Sequence, residues 1–90
     1  MRLVILDSRD NVATAPRDLP AGATAIAGEM SLEIPSDVPR GHKVALEPIA
    51  RGADVIRYGE IIGIATADVS SGEHVHVHNL VSRRLPGSRQ

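Results

Sequence analysis

The sequence predicts an all-β fold of short interlocked hairpins with little helix. Three observations carry that prediction. No stretch repeats apolar residues at i, i+3, i+4 and i+7 for more than a turn or two, the pattern an amphipathic helix needs. Eight Gly and six Pro punctuate the ninety residues every few positions. Between them lie short β-branched or alternating runs, bounded by turn formers, of the kind that make strands.

In chain order the runs are Leu3–Leu6, Val12–Ala15, Ala23–Ala27, Leu32–Ile34, Lys43–Leu46, Asp54–Arg57, Ile61–Ala67 and His74–His78. Ala21-Gly22, Arg40-Gly41, Arg51-Gly52 and Ser71-Gly72 each put a glycine where a turn can require positive φ. Pro35 and Pro39 bracket a loop around Ser36 and Asp37. A weak repeat is visible. Val12-Ala13, Val44-Ala45 and Ile64-Ala65 each open a unit that runs to an apolar residue three before a glycine: Leu19, Ile49 and Val69. Ala25, Val55 and Val75 then stand three residues beyond it. A strand, an apolar-x-x-Gly turn and a second strand recur. One domain over residues 1–82 is expected, with a polar, Pro- and Gly-containing tail at 83–90 expected to be disordered.

Composition narrows the function. Tyr58 is the only aromatic residue, so the core must be Val, Ile, Leu and Ala. A chain this short buries only about 60–65% of its unfolded surface, and with no Cys it has neither disulfides nor a thiolate zinc site. A thin core favours docking on a larger partner, or self-association of the isolated chain into a homo-oligomer. Ten basic against eleven acidic residues, without a basic cluster or stacking aromatics, argue against nucleic acid. No apolar run is long enough for a membrane span, and a cytoplasmic location is expected.

The residues most able to do chemistry lie in Gly72-Glu73-His74-Val75-His76-Val77-His78-Asn79. On a strand, alternate side chains share a face. His74, His76 and His78 would then form one imidazole face and Val75 and Val77 an apolar one. Alternate Cβ atoms lie roughly 6.5–7 Å apart, so two imidazoles can lean onto one metal but three rarely can. Two His and a carboxylate, Asp68 or Glu73 being nearest in sequence, suit Fe(II), Mn or Zn. Neutral imidazole also serves as a general base near pH 7. The alternative is a row of exposed strand histidines lining a partner interface or a solvated face. Lys43, after Gly41-His42, and Arg57, before Tyr58, can each take a carboxylate, or simply be solvated. No phosphate loop or nucleophile motif is present.

Together, Pro39-Arg40-Gly41-His42-Lys43-Val44-Ala45, Val55-Ile56-Arg57-Tyr58-Gly59-Glu60-Ile61-Ile62-Gly63 and Gly72-Glu73-His74-Val75-His76-Val77-His78-Asn79-Leu80 resemble the SAF domain of the altronate and galactarate dehydratase family. Asp10-Asn11-Val12-Ala13-Thr14-Ala15 and Leu19-Pro20-Ala21-Gly22 resemble its opening, so roughly residues 1–80 are covered. The resemblance implies a β-clip fold. It implies a small subunit, or N-terminal domain, of a sugar-acid dehydratase or of the related sulfolactate sulfo-lyase, inactive without a large catalytic subunit. Because the chain ends soon after His78-Asn79-Leu80, the separate small-subunit form, or an excised domain, is expected. It implies a divalent metal, Fe2+ or Mn2+, shared with that subunit. Elimination from a hydroxy acid needs a base, a cation for the carboxylate and an acid or metal for the leaving hydroxyl. His76 and His78 are the expected catalytic residues, with His42, Lys43 and Arg57 binding the sugar acid. His76, His78 and, less centrally, His74 are the expected metal ligands. The rival is a non-catalytic SAF module that binds a sugar acid, a metal or a protein.

Overall fold

The structure is a computed structural model that describes residues 2–82. The expected tail at 83–90 lies outside the described residues. Among these the fold is all-β without a helix. The strands are β1 (Arg2–Leu3), β2 (Val12–Thr14), β3 (Thr24–Ala27), β4 (Met30–Glu33), β5 (Lys43–Ala45), β6 (Asp54–Arg57), β7 (Glu60–Ala65), β8 (His74–Val75) and β9 (Leu80–Ser82). They form three small sheets, β1-β3-β4, β2-β5-β8 and β6-β7-β9. Two sheets are built on a tight hairpin, β3–β4 or β6–β7, while the third joins strands far apart in sequence. This interlocking of hairpins is the architecture of a β-clip.

Four turns of one design hold the sheets together. Leu19 and Val38 exchange both backbone hydrogen bonds at 2.8 Å, and Ile49 and Val69 do the same at 2.9 and 2.8 Å. Each turn ends three residues later in a glycine with φ between 84° and 89°, a region an L side chain enters only with strain. Asp18 accepts from the Arg40 N–H and Asp37 from the Ala21 N–H, both at 2.8 Å, so the first pair of turns is capped from both sides. In the second pair Asp68 caps Arg51 N–H at 2.9 Å, and Pro48 stands where the reciprocal carboxylate would be. Sequence reading puts a glycine turn at all four positions, but its apolar-x-x-Gly repeat takes in three and leaves out Val38–Gly41, although Asp-Leu-Pro-x-Gly at 18–22 and Asp-Val-Pro-x-Gly at 37–41 are near copies.

The core is aliphatic, as composition requires. Leu19, Ile34, Val38, Val44 and Leu46 centre one cluster; Val12, Ile49, Val55, Val69 and Val75 centre the other. Several runs shift. Leu3–Leu6 supplies strand only at Arg2–Leu3, because β1 pairs in parallel with β3 through Arg2 and Leu3 alone, leaving Val4 and Leu6 at least 60% exposed. Leu32–Ile34 moves forward to Met30–Glu33, whose register with β3 is fixed by the Gly28-Glu29 reversal. Ile61–Ala67 becomes Glu60–Ala65, and the histidine run is cut to His74–Val75.

Candidate functional site

The register of the central sheet creates the site. β5 and β8 are antiparallel, with Lys43 opposite Val75 and Val44 opposite His74. One step further along the same register, His42 comes opposite His76. Both segments start from the paired turns: Gly41 precedes His42, and Gly72 lies two residues before His74. Gly72 is fixed by space as well as by φ, since a Cβ there would run into the Glu33 carbonyl.

Three imidazoles meet here. His42 and His76 stack with centroids 3.8 Å apart and planes 14° apart. His42 Nδ1 and His74 Nε2 are 2.8 Å apart, a hydrogen bond in which one ring nitrogen donates to the other. At least one of the two rings must therefore be neutral. One nitrogen from each of His42, His74 and His76 lies within 4.8 Å of the others. All three rings are half-buried. Burial above all, and then the neighbouring cationic forms (His78 first for His74, His42 first for His76), pushes both pKa values below the ordinary histidine value. The neutral form of both rings is favoured accordingly.

The expected strand of five does not form. After Val75 the chain turns, and the buried Asn79 holds the turn. Its Oδ1 accepts from the His76 N–H and its Nδ2 donates to the His74 carbonyl, both at 2.9 Å. Its own N–H donates to the His76 carbonyl, and its carbonyl accepts from the Thr66 N–H, both at 3.0 Å. The Asn79 amide thus takes the place of a neighbouring strand. As a result Val77 is 82% exposed at the tip rather than packed, and His78 is exposed, approaching only His74 with centroids 5.0 Å apart. His74, expected to be peripheral, sits inside the cluster, and His42 joins it from the residue before β5. Asn79 and the pairing of His42 escape sequence reading. An Asn ending an alternating His-Val run is a turn signal, whereas His42 becomes visible only once the register of β5 and β8 is known.

Beside the imidazoles lies a cationic flank. Lys43 pairs with Thr14 across β2 and β5. Burial first, and then the Arg57 charge, lower the Lys43 pKa. Arg57 ends β6 next to Tyr58, donates Nη2 to the Tyr58 hydroxyl at 2.7 Å and lies 4.3 Å from its ring centre. Tyr58 has φ 57°, the only positive value among described non-glycine residues, at the β6–β7 turn. The adjoining Gly59 N–H donates to Asp10 Oδ1 at 2.8 Å. Behind it, buried Asn11 takes the Ile56 N–H on Oδ1 (2.7 Å) and gives Nδ2 to the Asp54 carbonyl (2.9 Å), where the β6–β7 register slips between Val55 and Ile56.

The donor set suits a divalent metal. Three imidazole nitrogens already converge, and His76 Nδ1 is shut off from solvent without a hydrogen-bond partner. Three candidates from the sequence (His42, His74 and His76) are brought together; His78 lies beside His74 but outside the set of converging nitrogens, and Lys43 and Arg57 are on the flank.

Comparison with known proteins gives the family. Residues 1–83 match the altronate/galactarate dehydratase SAF domain. The chain is 46% identical over 79 residues to altronate dehydratase of Escherichia coli, covering 88% of this chain but 16% of that enzyme. It is 38% identical over 79 residues to galactarate dehydratase of the same organism, covering 86% of this chain and 14% of that enzyme. It is also 41% identical over 61 residues to (2R)-sulfolactate sulfo-lyase subunit alpha of Paracoccus pantotrophus, covering 68% of this chain and 91% of that subunit. The chain thus spans about one sixth of the altronate dehydratase it matches and nearly all of the sulfo-lyase subunit. By sequence, fold and the order of its histidine and glycine blocks, the chain belongs to the SAF-domain family of the altronate and galactarate dehydratases.

Proposed function

We propose that this chain is the SAF component of a lyase acting on sugar acids or sulfonated hydroxy acids, completing with a large catalytic subunit a site that neither forms alone. The observation that carries this reading is the His42–His74–His76 cluster. Three converging imidazoles on a small aliphatic domain are far more than that domain needs to fold. Relatives on either side support the setting: dehydratases in which the match is a small fraction of the chain, and a sulfo-lyase whose alpha subunit it nearly fills.

Elimination from a hydroxy acid removes the proton beside the carboxylate and expels the β-substituent. His76, neutral and with a free Nδ1, can accept that proton. The hydrogen bond between His42 and His74 fixes how those rings face it. His78, on the exposed turn, would act at the junction with the partner. If His42, His74 and His76 instead held a divalent cation such as Fe2+ or Mn2+ shared with the partner, the cation would supply Lewis acidity toward the leaving group and the base would come from the partner.

Reconstitution with a large dehydratase-like subunit tests the proposal. Dehydration of altronate or galactarate, or sulfite release from sulfolactate, is expected only with both chains present. Full activity of the large subunit without this chain would leave the binding-module reading in its place.

A further inference from the structure

The flank of the histidine cluster contains polar groups that its own fold leaves unsatisfied. Thr14 Oγ1 and Arg57 Nε are both shut off from solvent, and neither has a hydrogen-bond partner. Buried donors without partners are rare and costly, and they accumulate where a ligand completes them. The two residues line one cleft of about 280 Å³, together with Arg2, Asp10 and Tyr58 and an apolar wall that includes Val12. Register places Lys43 directly opposite Thr14, where its charge repels Arg57. The one carboxylate in the cleft, Asp10, is engaged through Oδ1 by the Gly59 N–H, and among the described residues the only ion pair within 4 Å, Arg9–Asp7, involves neither cation.

We propose that Thr14, Lys43 and Arg57 form a carboxylate-binding subsite that seats one end of a small hydroxy acid in the cleft of this chain. One carboxylate oxygen accepts from Arg57 Nε and the other from the Thr14 hydroxyl, while Lys43 adds a point charge. The apolar wall lies along the carbon chain. The cleft is too small for a large ligand and suits a chain of a few carbons. The subsite belongs to this chain alone. The direction in which the substrate then extends, toward the imidazoles, rests on the lyase reading.

The test is a titration of the whole chain, with the Arg57 Nε–H and the Thr14 amide followed by NMR. Galactarate is expected to move both signals saturably, and galactitol, its uncharged counterpart, to move neither. Arg57→Gln and Thr14→Val, the latter a near-isosteric change, should each weaken binding about tenfold, the loss expected for one charge-assisted or buried hydrogen bond. A dispersed spectrum in each variant reports that it has folded. No saturable shift up to about 50 mM, a weak-binding limit, would overturn the subsite. So would an equal response to galactitol, or undiminished binding by both variants. Failure of the lyase reading would show instead as an inactive reconstituted enzyme with this titration unchanged.

Discussion

Two buried asparagines, Asn11 and Asn79, do the same job at opposite sides of the site, and they differ in what they hold. Each bonds one backbone N–H and one backbone C=O through its amide, standing in for a missing strand. Asn11 reaches partners 43 and 45 residues away and pins the slipped register of β6, the strand that ends in Arg57. Asn79 reaches partners only 3 and 5 residues away and shapes the turn that carries His76 and His78. The first is a long-range tie between units of the fold. The second is a local template for the imidazole cluster.

Stability should separate the two. Asn11→Ala strands two part-buried backbone groups and severs a long-range link, and is expected to cost about 2–4 kcal/mol in denaturant unfolding. Asn79→Ala should cost less, about 1–2 kcal/mol, because water can reach a turn more readily than a strand junction. Its larger effect should fall on the histidines. In that variant the ring contacts of His76 with His42 should be lost in NMR spectra, whereas in Asn11→Ala at low temperature they should persist. Equal losses of stability with the cluster intact in both would erase the distinction.

A smaller effect follows from pH. His74 and His76 have folded pKa values below 6.5, the value of an unperturbed histidine. Below pH 6.5 the unfolded chain binds more protons than the folded one, so stability is full above that pH and falls as pH drops toward the folded values. Thermal unfolding of the metal-free chain from pH 8 to 5 is expected to show this decline, with a shallower slope in His76→Ala. At the opposite end of the scale, Asp7, held at about 2 by Arg9, should give up its contribution only as pH falls from 3.8 through 2. A carboxyl titration by NMR checks this.

The same contrast explains what the sequence disclosed. Strand runs and glycine turns are local, so Asp54–Arg57 is legible to the residue and the glycines of all four paired turns are found. Pairing is not local. Val4-Ile5-Leu6 has strand-forming residues but no partner, and leaves the sheet. Alternation in His74–His78 places three histidines on one face, and that holds only while the strand lasts. Asn79 ends it, and β5 brings in His42 instead of His78. Thr14 carries no sequence signal at all: its place in the site comes from lying opposite Lys43 and sharing a cleft with Arg57.

Single alanine variants of the four histidines, assayed in the reconstituted two-component enzyme, test the central claim most directly. The cluster predicts a loss of roughly a hundredfold or more for His42→Ala, His74→Ala and His76→Ala, the scale of a lost general base or metal ligand, and a clearly smaller loss for His78→Ala. Activity that survives the first three substitutions, or that depends on His78 alone, would contradict it.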